Sequence, residues 1–241
     1  MKTIGLLFAA TTTAVWGSGW QLYRSDPSPA PNARSVCLNA PYPISVLCDG
    51  TPPRIYNHVS AAQYINLQVP PGAWGFADRG SYYVISNRTN SYIYTVNTAG
   101  SLLSSFRCPR DAPADLSEKG PSDTWVAVPA ENRCYQITST GSILGSYTPP
   151  GYNVTALEVA IPATRAIYGD PTTHRVYVMD CGSFYIENPL GLTADEPTGG
   201  PPYFDGIIIV NGTDNRIYQY VFVGPLGVAP ASWGRIKALL R

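Results

Sequence analysis

Five tyrosines return at nearly even steps along the chain, and that period restricts the fold more than any other feature. They stand in the triplets Arg54-Ile55-Tyr56, Tyr92-Ile93-Tyr94, Arg133-Cys134-Tyr135, Arg175-Val176-Tyr177 and Arg216-Ile217-Tyr218, so the tyrosines lie 38, 41, 42 and 41 residues apart. A second marker keeps step. Pro70, Pro109, Pro149 and Pro189 each close an apolar segment, at spacings of 39, 40 and 40. Two independent markers in register identify a repeated supersecondary unit that buries its core against its neighbours.

Each unit reads as four short strands. In the third these are expected near residues 114–117, 124–128, 133–138 and 142–148, from alternation of apolar residues and from the turn residues between them. Composition agrees: 22 Gly and 23 Pro supply turns, and 17 Tyr against 2 Met suit strands better than long helices. Four strands in about 41 residues is the size of a β-propeller blade. The expected fold is therefore all-β, a propeller of five four-stranded blades. The ends support it. The fifth unit runs out after Tyr218-Gln219-Tyr220-Val221-Phe222-Val223 with no outer strand behind it, while residues 19–27 match residues 141–149 of the third unit in spacing. The N-terminal strand is expected to complete the last blade, closing the ring and removing its exposed edges.

This pattern resembles the blades of secreted bacterial β-propeller repeat proteins related to the NHL type. There a Pro/Gly-rich loop leads to an inner strand, followed by an apolar strand containing Trp, an Ile-Tyr strand and a Gly-x-hydrophobic strand. Pro70-Pro71-Gly72-Ala73-Trp74 and Trp125-Val126-Ala127-Val128 stand where that order places them. The resemblance covers roughly residues 19–223. It implies architecture and little about activity, because propellers host many functions.

The chain divides into a signal peptide (1–17), the propeller (18–224) and a C-terminal tail (225–241). Lys2 precedes the apolar run Ile4-Gly5-Leu6-Leu7-Phe8-Ala9-Ala10 and then small residues, the order of a secretory signal. The expected location is secreted and extracellular. No other stretch reaches the 18 or so apolar residues of a membrane span. In the tail, Ser232 can cap a short helix placing Trp233, Ile236 and Leu240 on one face, which suits docking on the propeller or a sorting role. Five cysteines fit an oxidising compartment. Cys37 and Cys48 flank the turn candidate Asn39-Ala40-Pro41-Tyr42-Pro43 and are the candidate disulfide. Cys108, Cys134 and Cys181 are distant from one another, and one cysteine must stay unpaired within a monomer.

Charge narrows the partners. Sixteen basic and sixteen acidic residues give a net charge of 0, without the basic footprint that nucleic acid or an anionic membrane surface requires. In a propeller the loops entering each inner strand share a face with the turns between second and third strands. Here the entry loops are residues 27–34, 70–74, 109–115, 149–155 and 189–202. Arg34, Trp74, Asp115, Asp170 and His174 are that face's versatile side chains and the ligand-binding candidates. Their plainer reading is structural: Asp and Asn bond their own turns, and Trp74 packs. The repeated tyrosines either stack on sugars or fill the space between blades, and their fixed position favours the second.

Catalytic signals are sparse. The two histidines, His58 and His174, have no metal-ligand partner at short spacing, and no nucleophile elbow, phosphate loop or zincin motif occurs. A glycan-active hydrolase needs a pair of carboxylates; Asp115, Glu158 and Asp195 or Glu196 lie near inner strands of three successive blades. The same acids are the one place for calcium, which takes oxygen ligands; no cofactor motif is present. The leading reading is a non-catalytic extracellular platform that binds a protein or glycan. The alternatives are a self-assembling subunit of a surface layer or filament, and a glycan-active hydrolase.

Overall fold

The computed structural model describes residues 19–38, 43–118, 123–160, 165–178, 182–195 and 206–223. The signal-peptide segment, Cys181, Glu196 and the C-terminal tail lie outside them. Among the described residues, twenty strands form five four-stranded antiparallel sheets, the blades of a five-bladed β-propeller. Blade 1 is β2 (Ala33–Leu38), β3 (Ile44–Cys48), β4 (Arg54–Asn57) and β5 (Ser60–Asn66). Blade 2 is β6 (Ala73–Asp78), β7 (Tyr82–Asn87), β8 (Tyr92–Asn97) and β9 (Leu102–Arg107). Blade 3 is β10 (Leu116–Glu118), β11 (Asp123–Val128), β12 (Arg133–Thr138) and β13 (Ile143–Tyr147). Blade 4 is β14 (Ala156–Ala160), β15 (Arg165–Asp170), β16 (Arg175–Val178) and β17 (Gly182–Tyr185). Blade 5 runs β18 (Pro189–Asp195), β19 (Gly206–Asn211) and β20 (Arg216–Val223), and its outer strand is β1 (Gly19–Pro27). Residues 189–195, expected within a loop, are instead the inner strand of blade 5.

Every marker tyrosine falls on a third strand. Second strands are flanked by blades on both sides, which is why they read as apolar runs without alternation: all of Ile44–Cys48 and of Gly206–Asn211 is buried. Outer strands face solvent, as β9 does along most of its length. Five hydrophobic clusters result, one between each pair of neighbouring blades. Tyr94 packs between blades 1 and 2, Tyr135 between 2 and 3, Tyr56 between 5 and 1, and Tyr218 against the cluster between 4 and 5. Four of the five repeated tyrosines thus serve the core, where each large buried side chain stabilises by roughly 1.5–3 kcal/mol. Tyr177 is half-buried, joins none of the clusters and donates its hydroxyl to Thr173 Oγ1.

The N-terminal strand closes the ring as its spacing required. β1 pairs antiparallel with β20 from Gly19 opposite Val223 to Pro27 opposite Arg216. Trp20 packs against Phe184 and Phe222 at centroid distances of 5.8 and 5.4 Å. Arg216 donates to the Ser25 carbonyl at 2.9 Å, and Asp26 meets His58 of blade 1 at 3.4 Å.

The predicted Cys37–Cys48 disulfide is absent; both are free thiols. Register is the reason. Cys48 lies opposite Ala33, whereas Cys37 lies opposite Ser45 at the other end of the same ladder. At roughly 3.3 Å per residue the two are separated by roughly 10 Å or more, beyond the 7 Å or so that a disulfide spans between Cα atoms. Cys108 and Cys134 are buried free thiols as well.

At the axis the inner strands meet on one carboxyl group. Asp115, fully buried beside β10, accepts from Ser35 Oγ of blade 1 at 2.8 Å through Oδ1. Its Oδ2 accepts the Leu157 amide of blade 4 at 3.1 Å and the Leu192 amide of blade 5 at 3.0 Å. Blade 2 arrives through Gly75, where a Cβ would stand 2.6 Å from the Ala114 carbonyl oxygen. Gly191 plays the same part between blades 5 and 1, its Cβ position lying 2.5 Å from the Ser35 Cα. Burial dominates the titration of Asp115 and pushes its pKa up to about 8, although the hydrogen bonds from Leu157, Leu192 and Ser35 all oppose the shift.

Two expectations follow from closure and hub. Deleting residues 19–27 leaves the β20 ladder unpaired; the shortened protein should melt lower and elute above monomer mass, and a synthetic 19–27 peptide should reverse both. A shortened monomer with unchanged melting would show that closure contributes nothing. For Asp115, a raised folded-state pKa means that the native state holds its proton more tightly than the unfolded chain. Its stabilising contribution is complete below about pH 4 and is lost as pH rises through about 8. Asp115→Asn should flatten that decline in denaturant titrations between pH 4 and 8, whereas Asp115→Ala should destabilise throughout by leaving buried amides unpaired, at about 1–3 kcal/mol for each.

Candidate functional site

The hub divides the axis into two unequal ends. Beyond Asp115 the inner strands continue toward the turns into their second strands, and there they surround a partly open cavity of about 380 Å³. All five inner strands contribute to its wall: β2 through Cys37, β6 through Phe76 and Asp78, β10 through Ser117 and Glu118, β14 through Glu158, and β18 through Leu192 and Thr193. Inner-strand residues alternate between blade interior and axis, which accounts for Cys37 and Ser117. Asp78 and Glu118 line the same space from the last positions of β6 and β10, so that three carboxyl groups and a thiol share it.

Each is held differently. Glu118 forms an ion pair with Arg79 and accepts from Thr124 Oγ1 at 2.8 Å, so its charge is largely answered. Glu158 accepts from Ser117 Oγ at 3.0 Å, and the same serine oxygen accepts the Val159 amide at 2.9 Å, tying blade 3 to blade 4. Asp78 accepts the Gly80 amide at 2.8 Å, yet burial lifts its pKa above the ordinary value. Burial also pushes the Cys37 thiol up, helped by the charges of Glu158 and Asp78. A thiol so held is protonated at neutral pH and is a poor nucleophile. The cavity therefore offers acceptors and partial negative charge, suited to ammonium or hydroxyl groups. Among the described residues, no three His, Cys, Asp or Glu side chains converge closely enough to hold a metal ion.

The entry-loop face accounts for the residues that sequence singled out. Asp170, buried at the end of β15, accepts the Tyr152 amide of its own blade's entry loop at 2.6 Å and caps its turn through the Thr172 amide at 2.8 Å. Asn211 does the same at the end of β19, and Asn87, at the end of β7, caps its turn through the Thr89 amide and donates its Nδ2 to the Pro70 carbonyl of the entry loop. His174 occupies a left-handed position with φ of 55°, the slot filled by Ser91, Asn132 and Asn215 in the other blades, where Asn and His are tolerated better than most residues. All four straps reach the next entry loop. Asn132 donates to the Gly151 carbonyl at 2.8 Å, Asn215 to the Ala30 carbonyl at 2.9 Å and His174 Nδ1 to the Glu187 carbonyl at 2.5 Å, while Ser91 Oγ accepts the Ala112 amide at 3.0 Å. Asp170 and His174 are thus occupied in holding loops, and Asp115 lies beneath the surface as the hub.

Arg34 and Trp74 are brought together. The Arg34 guanidinium lies 4.7 Å from the Trp74 ring centroid, and Arg88, which the sequence did not single out, lies 4.3 Å from it. Asp78, Glu118 and Cys37 of the cavity also escaped notice as a group. The signal was present at 40-residue steps: Ser35, Gly75 and Asp115 share one slot, Cys37, Ala77 and Ser117 the slot two residues later, and Leu38, Asp78 and Glu118 the one after that. Of the carboxylates proposed for hydrolysis, Asp115 is committed to the hub and Glu158 faces the cavity, while the Asp195 side chain and Glu196 lie outside what the structure describes.

No family model matches the sequence, and no curated protein matches it. Solved structures do match in fold. A glutaminyl cyclase from Myxococcus xanthus superposes with a TM-score of 0.64 at 11% identity, covering 84% of this chain and 96% of that one. The WD40 propeller domain of Doa1 gives 0.50 at 10% identity, over 79% and 61% of the two chains. A catalytically inactive virginiamycin B lyase from Staphylococcus aureus, solved with quinupristin, gives 0.50 at 13% identity, over 81% and 68%. At these identities the likeness is one of fold: the chain is a β-propeller.

Proposed function

We propose that the protein is a non-catalytic, exported binding platform whose axial cavity receives a hydroxyl- or ammonium-bearing group of a glycan or protein. The chemistry of the cavity carries this reading. Among the described residues, its acidic side chains are hydrogen-bonded or ion-paired, its thiol is held protonated, and no histidine lines it. Nucleophilic catalysis needs an activated nucleophile with a base in reach, and inverting or retaining glycoside hydrolysis needs two carboxyl groups free to exchange protons. A rigid polar pocket formed by five strands suits recognition. The neighbours in fold include a cyclase and a lyase, so the side chains rather than the architecture support this choice.

Glycan arrays with neutral and amino-sugar probes, followed by calorimetry, test it. Binding without turnover is expected, weakened roughly tenfold by Glu158→Gln or Asp78→Asn, about the worth of one charge-assisted hydrogen bond. Turnover of a glycan that disappears in Glu158→Gln would replace the platform with a hydrolase.

One observation supports a second reading, self-assembly. The outer strands expose Leu102, Leu103, Ile143 and Leu144, each at least 41% accessible. Light scattering should then show mass growing with concentration, and the double substitution Leu103→Lys with Leu144→Lys should abolish the growth. A mass fixed at that of the monomer up to millimolar concentration would remove this reading.

A further inference from the structure

At the other end of the axis, the entry-loop mouth gathers donors without acceptors. Arg34 precedes Ser35 on β2, Trp74 precedes Gly75 on β6, and Arg88 follows β7. Two of the three therefore adjoin the residues that close the hub, which fixes their backbones. Both guanidinium groups lie over the same indole, at 4.7 and 4.3 Å from its centroid. Neither arginine forms an ion pair with an acid among the described residues. The neighbouring carboxylate, Asp49, is turned to backbone, accepting the Gly72 and Ala73 amides. Arg34 Nε and Trp74 Nε1 are buried without a hydrogen-bond partner. Guanidinium and indole N–H groups donate only, so nothing within the cluster can satisfy them.

We propose that this mouth is an oxyanion-binding site, in which Arg34 and Arg88, held over Trp74, take a carboxylate or phosphate group. An arginine fork matches two oxygens of such a group, and an anion relieves the repulsion between two like charges that the indole alone does not answer. Burial and the charge of Arg34 both lower the Arg88 pKa, as expected for two cations sharing a half-buried site. The site is separate from the acid-lined cavity: Asp115 and the inner-strand contacts stand between them, and the two ends favour opposite charges. The proposal does not rest on what the cavity binds.

The test uses the purified protein at constant ionic strength, set by chloride, titrated with inorganic phosphate or with glucuronate. Melting temperature should rise saturably with at least one probe, since a ligand binding only the native state stabilises it. The Arg34 Nε–H resonance should move with the same titration. Binding of both probes assigns a general oxyanion site, and binding of one assigns phosphate- or carboxylate-bearing ligands. Arg88→Gln should lose at least tenfold in affinity while melting no lower than the parent without anion; Arg88→Lys, which keeps the charge and loses the fork, should fall between. Glu158→Gln should leave the titration unchanged. No saturable response to either probe, or an equal response in Arg88→Gln, overturns the proposal and leaves the two arginines as packing on Trp74.

Discussion

The architecture depends on satisfying one buried carboxyl group. Asp115 has no access to water, so its oxygens must find donors inside the protein or the fold loses the cost of stranding them. Those donors come from blades 1, 4 and 5, and two of the three are backbone amides of inner strands. Amides cannot swing toward an acceptor as side chains can, so the strands themselves are fixed at hydrogen-bond distance from one point. Gly75 and Gly191 are the corollary, since any side chain there would push the strands off that point. The propeller is therefore tight at the entry end and wider beyond it, which is why the cavity lies where it does.

The entry-loop face shows how a repeat can consume its own polar residues. Asp, Asn, Ser and His recur there because turns between second and third strands need left-handed backbone and because the next loop must be held. Hydrogen bonds from Asn132, His174 and Asn215 to successive loops make the face continuous around the ring. A side chain with a repeated slot and a backbone partner has little capacity left for a ligand. Arg34, Trp74 and Arg88 stand apart because they follow no such rule.

Much of the fold was legible in the sequence because period is a property of the whole chain. The spacing of Tyr56, Tyr94, Tyr135, Tyr177 and Tyr218 fixed blade number, and the orphan match of residues 19–27 located the closing strand. Register was not legible: a turn between Cys37 and Cys48 says that two strands are antiparallel, and not which residues face each other. The site was half legible. Arg34 and Trp74 were identifiable as chemically versatile members of one face, but Arg88 reaches Trp74 through a turn whose path no spacing reveals. Asp170 and His174 drew attention by residue type, whereas only alignment of the blades on one another shows them as members of structural slots.

The joint between β1 and β20 also sets the order of events in making the molecule. Blades 1 to 4 consist of neighbouring hairpins, so their contacts are local and can form as the chain emerges. Blade 5 pairs Gly19 with Val223 across roughly 200 positions, and contacts of that separation are slow because chain entropy is lost before they repay it. Until the last strand is complete, the first must wait with its own edge open, and so must the hydrophobic flank of blade 1. The ring is consequently an all-or-nothing object in time as well as in space. A nascent chain spends its most vulnerable interval with four blades finished and the seam unmade, when a strand from another chain is the competitor for β1.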